Sequence, residues 1–307
     1  MGRRRILMKI GEKIKSVRAS KMMTQAELAG DGITRNMLSK IENGTALPSL
    51  PTLLYIASRL NIPAGYLIAE DDNEFIYKKI NCIDNIKRAF TGGEFELCRS
   101  ICLNELSCID DETAYILSEC LLGIAKEKFE EGRLFAARGF FDEALDYSLK
   151  TVYNTDHIKS QIDVYLRYMT NNISHSMYSG EKDIAGVSDM MAFSDGFCRY
   201  IIACESITRG NMLIVSEIKE TFSDELAFFR MCIDAHLSMA NGDYLSAKGL
   251  FEKILESDVA VAVPLIYDIT CALEICCRET NDYKGAYDFS NDKLRLLEKM
   301  LSANAVT

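Results

Sequence analysis

The sequence predicts an all-α chain: a five-helix domain at the N-terminus, then an array of helix pairs. Three observations predict it. Two helix-start signals, Thr24 and Thr34, flank a glycine-rich break. A turn motif built on Gly or Asn recurs between residues 93 and 281. Beyond residue 75 the apolar residues keep helical spacing, and Pro264 is the only proline, so little in the sequence interrupts a helix there.

The elements follow in order. Ile10, Ile14 and Val17 share one face of a first helix. Thr24 caps a second that starts at Gln25, and Glu27 sits where a capping box places its carboxylate. Leu28 and Ala29 face inward, and Gly30-Asp31-Gly32 ends the helix. Thr34 caps a third helix to about Glu42, with Leu38 and Ile41 inward and Asn43-Gly44 closing it. Ser49 caps a fourth through Leu60, with Pro51 tolerated in its first turn, and Pro63 opens a fifth from Ala64 to Ile68. This makes a domain of residues 1–70. The acidic stretch 71–75 reads as a linker, and 76–307 as the repeat domain.

Composition limits what the chain does. Residues 1–70 hold 11 Lys/Arg against 5 Asp/Glu, whereas the rest holds 24 against 40, within an overall net charge of −10. A basic end on an acidic body suits a protein that touches nucleic acid through that end alone. Arg3-Arg4-Arg5 fits a phosphate or minor-groove arm or a plain disordered terminus. No apolar run reaches the roughly 18 residues of a spanning helix, and the myristoylation pattern fails at Ile6. The expectation is a cytoplasmic protein without a membrane partner. The 11 cysteines form no C-x-x-C pair and the histidines are His157, His175 and His236, which predicts buried free thiols and no metal site. With no phosphate loop and no nucleophile elbow, neither an enzyme nor a cofactor is expected.

The third helix leads with Arg35, Asn36, Ser39 and Lys40 outward. Arg pairs with guanine O6 and N7 and Asn with adenine N6 and N7, so the composition fits a recognition helix in the major groove of double-stranded DNA. Any amphipathic helix shows a polar face, so composition alone leaves this open.

The segment TQAELA, the turn, then IENG with Pro48-Ser49-Leu50 and Leu53-Leu54-Tyr55-Ile56-Ala57 behind it resembles the helix-turn-helix domain of Cro and phage-repressor (XRE) type, from about Ile10 to Leu67. The resemblance implies that Gln25 meets a phosphate and that Thr34, Arg35, Asn36, Ser39 and Lys40 form the DNA-facing set. The turn between Ala29 and Thr34 is one residue shorter than in the phage repressors, as it is in the RRNPP peptide-pheromone receptors.

The repeats come next. Gly132-Arg-Leu134-x-x-Ala137-x-Gly139-x-Phe141 superimposes on Gly242-Asp-Tyr244-x-x-Ala247-x-Gly249-x-Phe251. Weaker copies start at Gly93, Gly210 and Asn281, with Cys98, Val215 and Ala286 at the small position. The turn reverses the chain, the large residue packs back, and the small residue lets two helices cross closely. The pattern resembles tetratricopeptide repeats and implies five or six pairs stacked in a right-handed superhelix. Gly180-Glu-Lys-Asp-Ile-Ala185 is a further candidate repeat.

This order of domains resembles the RRNPP receptors. The resemblance implies a homodimeric transcriptional regulator that holds a short signalling peptide inside the superhelix, clamped through asparagines whose carboxamides pair both sides of a peptide unit. Asn171 and Asn172, with Arg167, Tyr168 and His175 on the same helical pattern, are the candidates. A protein partner in place of the peptide is the alternative.

Overall fold

The computed structural model describes residues 2–69, 71–173, 194–257 and 261–302. Two compact units divide the chain, Met1–Ile109 and Asp110–Thr307.

The first unit begins with five helices: α1 (Gly2–Ser20), α2 (Gln25–Ala29), α3 (Arg35–Glu42), α4 (Leu50–Leu60) and α5 (Ala64–Ile68). The arginine triplet lies within α1 rather than in a separate arm. The expected caps form. Thr24 Oγ1 accepts the Glu27 N–H while the Glu27 carboxylate accepts the Thr24 N–H, and Thr34 and Ser49 cap α3 and α4. Ile14, Leu28, Leu38, Ile41, Ile56 and Leu60 close a core in which each is at most 1% exposed. Gly11 lies against the Ile41 and Glu42 carbonyls, leaving no room for a Cβ between α1 and α3.

Two further helices, α6 (Asp71–Thr91) and α7 (Phe95–Glu105), complete this unit. Residues 71–75 therefore continue as the first turn of α6, and compactness divides the chain after Ile109. The acidic composition that suggests a linker is also what a helix tolerates in its first turn, where the macrodipole favours carboxylates.

The second unit holds α8 (Asp111–Glu130), α9 (Leu134–Ser148), α10 (Asp156–Tyr168), α11 (Gly196–Thr208), α12 (Met212–Glu220), α13 (Ala227–Ala240), α14 (Tyr244–Leu255), α15 (Val263–Glu279) and α16 (Tyr283–Ser302). A π-helical turn, Met169–Ile173, extends α10. The candidate repeat at 180–185 lies outside the described residues.

Five helix pairs share one turn: α6/α7, α8/α9, α11/α12, α13/α14 and α15/α16. At each, Gly93, Gly132, Gly210, Gly242 or Asn281 takes a φ between +58° and +79°. The next N–H then reaches back five residues, as from Arg133 to the Lys128 oxygen at 2.8 Å and from Asp243 to the Ser238 oxygen at 2.9 Å. This is the Schellman closure, which satisfies carbonyls that the helix end leaves open. The small residues behave as expected, Cys98, Ala137, Val215, Ala247 and Ala286 all being buried.

The large residue two after the turn packs back at some turns only, Phe95 and Tyr244 being half-buried. Leu134 is buried, but Met212 is 47% and Tyr283 69% exposed. It stands at the first residue of the second helix, whereas the small residue three positions on is buried at every turn.

The second unit closes on itself. α15 packs against α8, and a Cβ on Gly132 would meet Val263 Cγ1 at 2.9 Å and Met300 Cγ at 3.1 Å. All eleven cysteines are free thiols, eight of them buried and Cys108 exposed. Among the described residues no helix is long and apolar enough to cross a membrane.

Candidate nucleic-acid interface and ligand cavity

The first candidate site is built on α3. Its buried side, Leu38 and Ile41, fixes the helix to the core, and Thr34 Oγ1 holds the Met37 N–H at 3.1 Å. Thr34, Arg35, Asn36 and Lys40 then stand exposed and Ser39 half-buried. Among the described residues, the Arg35, Asn36 and Lys40 side chains make no hydrogen bond or ion pair. The face can therefore offer a guanidinium, a carboxamide and an ammonium together.

Behind it, the buried Glu42 carboxylate takes Arg18 Nε at 2.6 Å and Nη2 at 3.1 Å. It also takes Gln25 Nε2 at 2.7 Å. The Arg18 pKa is raised, chiefly by the hydrogen bond to Glu42. Gln25 is thus half-buried and tied by its amide nitrogen. Tyr55 fixes the turn before α3: its hydroxyl donates to the Ala29 oxygen at 2.9 Å and accepts the Gly32 N–H at 3.1 Å. A Cβ on Gly32 would come within 3.0 Å of three ring carbons of Tyr55. The turn is packed on an aromatic floor.

The second candidate site is a cavity of about 660 Å³ in the second unit, among whose walls are Tyr168, Asn171, Cys204, Glu205, His236 and Asp268. Two of the expected ligand residues, Tyr168 and Asn171, line it together. Asn171 is exposed on the π-helical turn, which re-aims side chains relative to a regular helix. Tyr168 is 2% exposed and spends its hydroxyl on the Pro264 oxygen at 2.8 Å, so it offers a ring wall rather than a donor. Arg167 reaches the cavity edge through Glu205 (Nε to Oε1, 3.3 Å) and also pairs with Asp163. The Asn172 side chain and His175 lie outside the described residues.

Sequence reasoning missed the polar floor of this cavity. Tyr200 Oη donates to Asp268 Oδ2 at 2.8 Å and lies 3.0 Å from His236 Nε2. Burial lowers the His236 pKa against the opposing pull of Asp268, which disfavours the imidazolium. No local signal marks these three, which come from α11, α13 and α15.

A second cavity of about 660 Å³ has Glu130 of α8, Tyr165 of α10, Asp195 and Phe197 at the start of α11 and Leu265 of α15 in its wall. Lys126 Nζ lies 2.6 Å from Asp195 Oδ2 there. Burial raises the Asp195 pKa, and Lys126 together with the hydrogen bonds from Cys198 outweighs it to leave the carboxyl lowered. Tyr168, Phe197 and Tyr200 form the aromatic layer between the cavities, with ring centroids 5.1 Å apart for Tyr168 and Phe197 and 6.1 Å for Phe197 and Tyr200.

Residues 14–67 match the family described as Helix-turn-helix. Among solved structures, the chain is similar to Bacillus thuringiensis PlcR in complex with the peptide PapR7 and DNA, at 16% identity over 97% of this chain and 98% of that one, with a TM-score of 0.28. It is similar to the apo form of the competence regulator ComR from Streptococcus vestibularis, at 16% identity over 90% and 98%, TM-score 0.28. The apo form of ComR from S. thermophilus matches at 18% identity over 94% and 99%, TM-score 0.27. No curated protein matches the chain. The N-terminal domain is a helix-turn-helix domain of XRE type, in which α2 and α3 are the two helices of the motif.

Proposed function

We propose that this protein is a sequence-specific DNA-binding transcriptional regulator controlled by a short peptide held in the helix-pair unit. The observation that carries the DNA reading is the exposed, unengaged set Arg35, Asn36 and Lys40 at the start of a capped helix whose other face is locked in the core. Residues 1–70 serve as the DNA-reading part, with Gln25, Thr34 and Ser39 completing the contact set, and residues 76–307 as the ligand-binding and dimerising part. The positive balance of residues 1–70 against the acidic remainder favours that division.

The cavity of Tyr168 and Asn171 supports the ligand reading. Its apolar walls suit side chains, and Asn171, Glu205 and His236 supply the few polar anchors that orient a ligand. Two copies present two recognition helices, and Tyr283, Tyr287 and Leu294 leave an apolar, exposed stripe along α16 that fits self-association. A peptide regulates only by binding one arrangement of the regulator more tightly than another.

The test is selection of duplexes from a random pool by the full-length chain, repeated with Arg35→Ala and Asn36→Ala. Each variant is expected to lose preference at one position by about 1–3 kcal/mol. Identical selected sequences for wild type and both variants overturn the assigned face. Native mass spectrometry of the protein from its own host addresses the ligand: a dimer carrying a small peptide mass is expected, and a co-purifying folded protein replaces the peptide with a protein partner.

A further inference from the structure

At the start of α3 one exposed side chain is apolar. Met37 is 37% exposed, with Arg35 and Asn36 before it, Thr34 three residues back and Lys40 three residues on. At that spacing Thr34, Met37 and Lys40 lie in one row on the outward face. The fold does not call for an apolar residue there, because Leu38 and Ile41 already fill the inward face at 0% and 1% exposure. Its backbone N–H is fixed by Thr34 Oγ1 at 3.1 Å, so the side chain leaves a held position.

In the major groove the base edges display hydrogen-bonding atoms and one apolar group, the C5-methyl of thymine. Hydrogen-bonding side chains do not report that methyl. A methionine does, and its unbranched thioether adapts to the methyl's position.

We propose that Met37 is a specificity-determining residue that packs on a thymine methyl, next to the bases met by Arg35 and Asn36. This rests on the DNA-binding reading above. Since the group recognised is the methyl alone, 5-methylcytosine presents the same feature and unmethylated cytosine or deoxyuridine lacks it.

The experiment uses the full chain and the site recovered from the random pool. Each thymine of that site is replaced singly by deoxyuridine, which removes only the methyl. For the wild type, one thymine is expected to show affinity weakened about fourfold, the worth of burying one methyl-sized group. Met37→Leu keeps that sensitivity, and Met37→Ala loses it while still selecting the bases read by Arg35 and Asn36. Because Met37 is outside the core, Met37→Ala is expected to fold normally, and circular dichroism checks this. A site tolerant of deoxyuridine at every thymine overturns the proposal, as does the same sensitivity persisting in Met37→Ala. A pool that yields no preferred sequence overturns the DNA-binding reading itself and this proposal with it.

Discussion

Arg18 and Glu42 form a two-pronged ion pair, Nε to Oε1 at 2.6 Å and Nη2 to Oε2 at 3.1 Å, that ties the last turn of α1 to the last residue of α3. The carboxylate side chain is 1% exposed and the guanidinium 15%. Gln25 brings α2 to the same carboxylate, so one buried charge sets the mutual placement of all three helices.

Removing half of such a pair strands the other half. Glu42→Ala is expected to cost about 3 kcal/mol in urea unfolding of the first unit, within the usual range for breaking buried pairs. The double replacement Arg18→Met with Glu42→Leu is expected to recover most of that loss, because a packed apolar pair removes the stranded charge. A Glu42→Ala loss below about 1 kcal/mol would put the pair in the class of surface salt bridges instead.

Two turn positions should respond with opposite signs. Met22 has a φ of +53° and is 91% exposed, so its side chain gains little packing for the conformation it adopts. Met22→Gly relieves roughly 1–2 kcal/mol of left-handed crowding. Against this stands the extra unfolded-state entropy of glycine, about 0.5–1 kcal/mol, leaving a net gain of roughly half a kcal/mol. Gly32 is constrained by space rather than by φ. Gly32→Ala drives a methyl into the Tyr55 ring and is expected to cost about 1–3 kcal/mol, as overpacking does. Thermal midpoints of the two variants, measured side by side, check the pair. Equal shifts would mean that neither conformation nor space governs these positions.

His236 gives a pH dependence of known sign. Burial holds its folded pKa below the ordinary value, with Asp268 opposing. The unfolded chain binds a proton near pH 6.5, so between that pH and the lower folded pKa the unfolded state carries the extra proton. The contribution is therefore fully present above about pH 6.5 and is lost as the pH falls below it. In urea titrations at pH 7.5 and 5.5, the wild type is expected to lose more stability than His236→Gln. Parallel losses would remove His236 from the acid response.

What is local in the helix-turn-helix domain could be read from the sequence because its causes are local. Thr24 and Glu27 make their capping box across three residues, and Thr34 caps α3 in the same way. The five Schellman turns follow from Gly or Asn at the one position that needs positive φ. Gly139 and Gly249 show where pattern exceeds cause. They superimpose in the repeat, yet each faces open space where a Cβ would go.

The cavity lined by Tyr168 and Asn171 is legible only in part, because its parts come from distant stretches of chain. Tyr168 and Asn171 were found through helical spacing near an asparagine pair. Tyr200, His236 and Asp268 were not, since only the stacking of α11, α13 and α15 gathers them. The fate of a polar side chain was equally hidden. Nothing about Tyr168 in sequence says that its hydroxyl is consumed by the Pro264 oxygen, 96 residues on.

The sequence by itself determined the helices of the N-terminal domain, their caps, the recurring turns and the small residues at the crossings. All of these depend on backbone sterics and hydrogen bonds within one or two helical turns. Only the tertiary structure decided that α6 and α7 complete the first compact unit, that α8 meets α15, and that Glu42 is the buried anchor of three helices. Those outcomes depend on which apolar faces and charges meet after the chain has folded, and sequence spacing carries no record of that meeting.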